Sequence, residues 1–275
     1  MRVLTWNMMH AVVRGAARRL AAWQYLDGLK ADIALVQEAG PPFGAPLNAV
    51  WGTDLPPTAG ADWGTAVVSS GPVLSKFIGP VYPDYYGGRT AIEIGTTARP
   101  GTLALARIEP SQTEPLLAIS LYGMLRYAEQ SVLRAAADVM PIFDDRRVPK
   151  LVLLGGDLNI HTHDDELRGR RRAKAILDAV ESLGLINLVR EARSGDLLEQ
   201  GKRAVALPCP CDGTDCYHVR THKHSRHQPG EMANNDYLFA TPELAARLQK
   251  LVVMNGDADP AWSHSDHCPL VAEFK

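Results

Sequence analysis

Short apolar runs that end in an asparagine, a glutamate or an aspartate recur along this chain, and they constrain its fold more than any other feature. "RVLTWN" (2–7) stops at Asn7, "DIALVQE" (32–38) at Glu38, and "KLVLLGGDLN" (150–159) at Asp157 and Asn159. Asp236 opens "DYLFAT", while Asp266 and His267 precede "CPLVAEF". Apolar runs of this length, bounded by turn residues, are the pattern of buried strands. A polar residue at a strand end sits on the rim of a rigid sheet, where side chains from several strands converge.

The rest of the chain supplies the partners for such strands. "AARRLAAWQYLDGL" (16–29) reads as a helix, with Leu20, Trp23, Leu26 and Leu29 predicted on its apolar face. A Pro/Gly-rich loop is expected from Gly40 to about Ala61. "WGTAVVSS" (63–70), "RTAIEIGT" (89–96), "TLALARI" (102–108) and "LLAISLYG" (116–123) read as strands. Two helices are expected over 128–143, with Val132, Ala136, Val139 and Phe143 along one face, and over 164–184, with an acidic start and a glycine stop. "NDYLFAT", "KLVVMNG" and "PLVAEF" give late strands. Strand runs broken by helices argue for two sheets covered by helices rather than regular βαβ alternation.

With no internal repeat and no low-complexity linker, one domain over 1–275 is the simplest reading, carrying a Cys/His-rich insertion at about 206–230. A net charge of −2 excludes a global pull toward nucleic acid or anionic membrane, so any anion-binding surface is local. No apolar run approaches the roughly 20 residues that span a bilayer, and no membrane insertion is expected. "MRVLTWNMMH" lacks the pattern of a secretion signal and reads as the first strand. Four cysteines, three of them clustered, do not form a secreted disulfide framework. A cytoplasmic location is the expectation, and no protein partner is implied.

Carboxylates and carboxamides with one histidine make a set of hard oxygen ligands, which suits Mg²⁺ or Mn²⁺ better than zinc or copper. Taken singly, an Asn or Asp after a strand is usually a turn residue. The order of the set says more. "LTWNM" (4–8), "LVQEA" (35–39), "LLGGDLN" (153–159), "NDYLFA" (235–240) and "HSDHCPL" (264–270) together resemble the signature blocks of the endonuclease/exonuclease/phosphatase superfamily, whose members resemble deoxyribonuclease I.

The resemblance implies a four-layer α/β/β/α sandwich, with two mixed, mainly antiparallel sheets flanked by helices and the site at one rim. It implies Glu38 as the main metal carboxylate with Asn7 beside it, and Asp266 as a further metal or water contact. Asp157 and Asn159 would orient or deprotonate the attacking water and hold the phosphate. His267 would contact the scissile phosphate, oriented by Asp236. Tyr122, at the end of "ISLY", stands where members of the family carry a His or Tyr that touches phosphate; a tyrosine packed on the rim is the alternative. Arg89 in "GGRTAIEI" is a further phosphate ligand, or an exposed loop arginine. Some DNA-repair members carry an acidic residue two positions after the first asparagine; Met9 stands there, which weakens a repair-type assignment.

The expected activity is divalent-metal-dependent phosphodiester hydrolysis, by a nuclease on DNA or RNA. The alternatives are a phosphatase or phosphodiesterase on a phosphorylated small molecule or lipid head group, and a catalytically inactive binding module. Local basic features are "RGRRRAK" (168–174) and the segment 218–227, where Arg220, His222, His224 and Arg226 would reach substrate phosphates. A solvated helix face is the other reading of the first, and surface polarity of the second. Cys209, Cys211, Cys216 and His218 form a structural zinc pattern of thiolates and imidazole; free thiols or a disulfide are the alternatives.

Overall fold

The apolar runs become strands. A computed structural model of the chain describes residues 1–10, 15–42, 48–52, 63–77, 101–109, 114–124, 128–144, 148–160, 167–202, 218–223 and 234–275. In chain order the strands are β1 (Arg2–Asn7), β2 (Ile33–Ala39), β3 (Ala49–Trp51), β4 (Gly64–Ser69), β5 (Val73–Lys76), β6 (Leu103–Glu109) and β7 (Leu116–Tyr122). They continue with β8 (Leu151–Asp157), β9 (Ile186–Asn187), β10 (Leu198–Gln200), β11 (Asp236–Ala240), β12 (Leu248–Val253) and β13 (Leu270–Phe274). The helices are α1 (Ala16–Gly28), α2 (Ala128–Val139), α3 (Leu167–Glu181), α4 (Leu188–Ser194), α5 (Pro242–Ala245) and α6 (Ala261–His264). The strand expected at 89–96 lies outside the described residues.

Two mixed sheets result, one ordered β10-β12-β13-β1-β2-β4-β3 and the other β5-β6-β7-β8-β11-β9. The β1/β2, β10/β12 and β7/β8 pairs are parallel and the others antiparallel. Together with their helices the sheets form the α/β sandwich that the sequence implies. Strand alternation explains the layering. Along β1, Val3 faces the second sheet with Ile33, Leu35 and Val67, while Leu4 and Trp6 face α1 and pack on Trp23 and Leu26. Each such large apolar side chain contributes about 1.5–3 kcal/mol on burial. Between the sheets, Gln37 bridges the two layers: its Nε2 donates to Ser120 Oγ at 2.9 Å and to the Leu35 carbonyl at 3.0 Å.

Two expectations need correction. The buried face of α1 is Arg19, Ala22, Trp23 and Leu26, whereas Leu20 is exposed. Arg19 displaces leucine because its Nη2 donates to the His10 carbonyl at 2.8 Å, inside the layer that α1 covers. The loop expected between 40 and 61 contains β3, a short strand held by pairing with β4 rather than by its own pattern. The α2 face is as expected, with Val132, Ala136 and Val139 buried, and after Val139 the chain tightens into a 3-10 turn, Met140–Asp144. Among the described residues, no helix is long and apolar enough to cross a membrane.

Candidate active site

Strand direction brings the polar strand ends to one rim. β1 and β2 run parallel, so Asn7 and Glu38 finish side by side. β7 and β8 also run parallel, and Tyr122 is paired with Asp157. β11 is antiparallel to β8, so its first residue, Asp236, pairs directly with Asp157. β13 is antiparallel to β1, which brings the residues before it, Asp266 and His267, to the same rim.

Glu38 reaches the site only through an irregularity. By alternation it would share the face of Ala34 and Val36, which point toward α1. The β2/β4 register shifts between Val36 and Ala39, and Glu38 takes a left-handed φ of +46°. A bulge of this kind re-aims a side chain. Asn159 (φ +51°) and Met9 (φ +55°) are left-handed as well, so non-glycine backbone strain gathers around the rim.

One amide joins the carboxylates. Asn7 Nδ2 donates to Asp157 Oδ2 at 2.8 Å and to Glu38 Oε1 at 3.2 Å, while Asn7 Oδ1 accepts the Met9 N–H at 2.8 Å. Asp157 accepts two more hydrogen bonds from Asn159, from its backbone N–H at 2.9 Å and from Nδ2 at 3.1 Å. The Tyr122 phenol faces Glu38 and Asn159, and its ring meets Trp63 edge-on at 5.3 Å; Asn159 Nδ2 also donates to the Gly123 carbonyl at 2.7 Å.

His267 stands on the other side of Asp157. Its Nδ1 lies 2.8 Å from Asp236 Oδ2, and its Nε2 lies 3.7 Å from Asp157 Oδ2. The backbone of His267 is fixed at both ends. Its N–H donates to Ser265 Oγ at 3.0 Å, Ser265 Oγ donates to the Asn7 carbonyl at 2.7 Å, and the Trp6 indole donates to the His267 carbonyl at 2.9 Å. Thr221 Oγ1 accepts the N–H groups of Asn235 and Asp236 at 3.1 and 3.2 Å, tying the segment 218–223 to the start of β11.

The charges sort the roles. Burial pushes the Asp157 carboxyl up to about 7, and Asp236 adds to the effect, while His267 and the hydrogen bonds from Asn7 and Asn159 restrain it. Burial opposes a proton on His267, but the Asp236 and Asp157 carboxylates outweigh it and hold the imidazole up at about 10. Burial, with Glu38 second, raises the Tyr122 phenol, so it stays protonated and a hydrogen-bond donor. A carboxyl that titrates near neutral pH beside a retained imidazolium has the arrangement an acid–base pair requires. Among the described residues, two groups have ligand atoms within 4.8 Å of one another: Asp157, Asp236 and His267, and His222, Asp266 and His267.

Comparison with known proteins fits this geometry. The family profile described as Endonuclease/Exonuclease/phosphatase family matches residues 4–267. The chain belongs to the endonuclease/exonuclease/phosphatase family. No curated sequence matches it significantly. Similar solved structures include the endonuclease domain of TRAS1, a telomere-specific non-LTR retrotransposon (17% identity, TM-score 0.59, covering 100% of this chain and 98% of that one). An AP endonuclease from Archaeoglobus fulgidus is similar at 18% identity and TM-score 0.59, covering 100% and 99%. A 3′-5′ exonuclease from Neisseria meningitidis is similar at 19% identity and TM-score 0.58, covering 100% of both chains. At these identities the likeness speaks for the fold.

Within the family's rim, Asn7, Glu38, Tyr122, Asp157, Asn159, Asp236, Asp266 and His267 come together, joined by His222, whose ring lies 4.5 Å from that of His267. Arg220 is buried, with its guanidinium 5.9 Å from the Trp262 ring centre. His218 is buried too, its carbonyl accepting from Arg193 at 3.0 Å. Arg89, His224, Arg226, Cys209, Cys211 and Cys216 lie outside the described residues. Sequence reasoning passed over Trp6, Ser265, Thr221 and Asn235, which hold the site residues in place. Trp6, Ser265 and Asn235 stand inside "LTWNM", "HSDHCPL" and "NDYLFA", so adjacency to a strand-end carboxylate or imidazole was their signal.

Proposed function

We propose that the protein is a divalent-metal-dependent phosphodiesterase, a nuclease that cleaves DNA or RNA and works as one domain. The observation that carries this reading is the contact set Glu38–Asn7–Asp157–His267–Asp236, buried except at the half-buried Glu38, in which an acceptor poised near pH 7 and a retained proton donor face the same rim.

The donors beside Asn7 fit a hard cation. Glu38 and Asn7 offer oxygen alone, and the left-handed backbone at Glu38 serves no packing need, since it turns a carboxylate away from the apolar layer toward the rim. Glu38, Asn7 and Asp266 would hold Mg²⁺ or Mn²⁺, which when bound supplies positive charge to the phosphoryl oxygens and the leaving group.

The chain's own groups do the rest. Asp157 accepts the proton of the attacking water at its carboxylate, while Asn7 and Asn159 fix its orientation through three N–H donors. His267 offers the proton on Nε2 to a phosphoryl oxygen, and Asp236 keeps the ring turned by accepting from Nδ1. Tyr122 presents its O–H to the same phosphate, while the Asn159 amide, donating to the Gly123 carbonyl at 2.7 Å and to Asp157, holds the carboxylate in place. Preorganised donors of this kind act where charge develops in the transition state.

The test is a substrate panel with Mg²⁺ or Mn²⁺: supercoiled plasmid, single-stranded RNA, phosphorylated inositols and sphingomyelin. Nicking of plasmid or cleavage of RNA, lost in Asp157→Ala and His267→Ala, supports the nuclease reading. Hydrolysis of only a small phosphate ester moves the substrate to that class. Absence of any hydrolysis and of metal binding leaves a binding module.

A further inference from the structure

The segment 218–223 crosses the rim, and the reaction proposed above uses none of it. His222 forms an antiparallel bridge with His267, and their rings stand 4.5 Å apart at 36°. Asp266 lies between the two imidazoles and gives each a different oxygen. Its Oδ2 is 3.6 Å from His222 Nε2, and its Oδ1 is 3.9 Å from His267 Nε2.

We propose that His222, Asp266 and His267 form a binding site for a transition-metal dication of the zinc type, and that its occupation switches off the hydrolytic site. Three observations carry this. The first is spacing. Zinc holds nitrogen and oxygen ligands at about 2.0–2.1 Å in a tetrahedron, which sets neighbouring ligand atoms about 3.3 Å apart. The ligand atoms of these three residues all lie within 4.8 Å of one another, and the two nitrogens stand 3.6 and 3.9 Å from the two oxygens of Asp266, within reach of side-chain rotation.

The second is ring orientation. Asp236 holds His267 Nδ1 at 2.8 Å, so Nε2 is the nitrogen a metal takes in exchange for its proton, which passes to solvent. A carboxylate behind a ligating imidazole is the usual support for a metal-bound histidine.

The third is preorganisation. The two segments are pinned in register, because the Lys223 N–H donates to the Asp266 carbonyl at 2.7 Å and the Cys268 N–H donates to the Thr221 carbonyl at 2.8 Å. The imidazoles are buried while the Asp266 side chain is 35% exposed, so a cation arrives from the solvent side of the carboxylate.

The two imidazoles distinguish this site from the one beside Glu38, with which it shares Asp266. Two imidazoles with one carboxylate select zinc over magnesium, which takes oxygen and gives up its water reluctantly. A metal on His267 Nε2 occupies the lone pair that otherwise carries the proton for the phosphate. Loss of activity on zinc binding rests on the functional reading above; the binding itself does not.

The test is therefore a binding measurement first. The protein is titrated with Co²⁺, and with Zn²⁺ by calorimetry, in a buffer containing Mg²⁺. The expected result is visible d–d absorption of cobalt on nitrogen and oxygen, distinct from the sulfur-to-metal charge-transfer band that a site on Cys209, Cys211 and Cys216 would give. His222→Phe keeps a ring against His267 and should weaken the nitrogen/oxygen site at least about tenfold. Asp266→Asn should do the same, and melting curves show whether each variant is folded. Unchanged metal affinity in both folded variants, or cobalt bound through sulfur alone, overturns the proposal. In the activity arm, Zn²⁺ added over saturating Mg²⁺ should suppress phosphodiester hydrolysis by the parent protein. Zinc bound through these residues without suppression overturns the switch, whereas zinc bound by a protein with no phosphodiesterase activity upholds the site and removes the functional reading.

Discussion

Asp236→Asn separates the charge behind His267 from the shape of the site. The carboxylate is fully buried, and its Oδ2 lies 2.8 Å from His267 Nδ1. Asparagine has the same outline, and its carbonyl still accepts from Nδ1, so the ring keeps its place. What is lost is the ionic part of the contact. Hydrogen bonds to charged groups contribute about 1.5–3 kcal/mol, and about 1.4 kcal/mol in the barrier is tenfold in rate. The turnover rate should fall about 10- to 100-fold. Stability should change little, because two effects oppose each other. The new amide N–H₂ replaces Asp236 Oδ1, a buried atom without a hydrogen-bond partner among the described residues, which costs about 1–3 kcal/mol. Against that, Asp157 and Asp236 are paired directly across β8 and β11 with both side chains buried, so removing one charge relieves a like-charge repulsion. The assay is the rate of phosphodiester cleavage at saturating Mg²⁺ near neutral pH, with a thermal melt of the same preparation. A rate within about threefold of the parent refutes the reasoning. So does a loss of activity matched by collapse of the melting transition, since the carboxylate would then be structural.

Glu38→Gln should raise the Mg²⁺ concentration needed for half-maximal activity about tenfold or more, and chelation by EDTA should abolish activity in the parent; a metal titration of initial rates checks both. His10 gives a pH signature. Burial first, then Arg19, lowers its pKa from 6.5 to about 4, and the Gly40 N–H, donating to Nδ1 at 3.0 Å, needs that nitrogen unprotonated. The folded state therefore disfavours the proton, so this contribution is full above pH 6.5 and fades as the pH falls toward 4. The whole is about 3 kcal/mol. Urea melts at pH 7.5 and 4.5 should show a smaller pH-dependent loss for His10→Gln than for the parent, and equal losses would contradict the assignment. Gly156→Ala should destabilise by more than about 3 kcal/mol, because a Cβ there would lie 1.7 Å from the Leu121 carbonyl oxygen, on the backbone of the paired strand. A melting temperature within a few degrees of the parent would argue against that close approach.

The core strands were legible because their apolar runs are uninterrupted: β8 and β11 are buried along their length. Asn7, Asp157 and Asp236 were legible for the same reason, each marking the end or start of such a run. The route by which Glu38 arrives was not. Regular alternation points it toward α1, and the bulge that turns it depends on pairing with β4, far along the chain. Around it, the His10 N–H donates to the Glu38 carbonyl, His10 Nδ1 accepts from Gly40, and the Trp23 indole donates to the Gly40 carbonyl at 2.9 Å. These bonds join residues up to 30 positions apart, and no local pattern encodes them. The burial of Arg19 in place of Leu20 belongs to the same cluster. The short strands β3, β5, β9 and β10 likewise owe their existence to partners. His222 was read as a loop residue facing substrate; its tilted ring contact with His267 follows from a bridge that only the folded chain makes.

Asp157→Asn tests the central claim most directly, since it keeps the side chain's size while removing its ability to take a proton. Cleavage by the variant is measured beside the parent on the best phosphodiester substrate at saturating Mg²⁺. The account predicts a fall of about 10²-fold or more, the range of general-base catalysis, with a melting temperature within a few degrees of the parent. A variant that cleaves within about tenfold of the parent would contradict it, because the water would then be activated by some group other than Asp157.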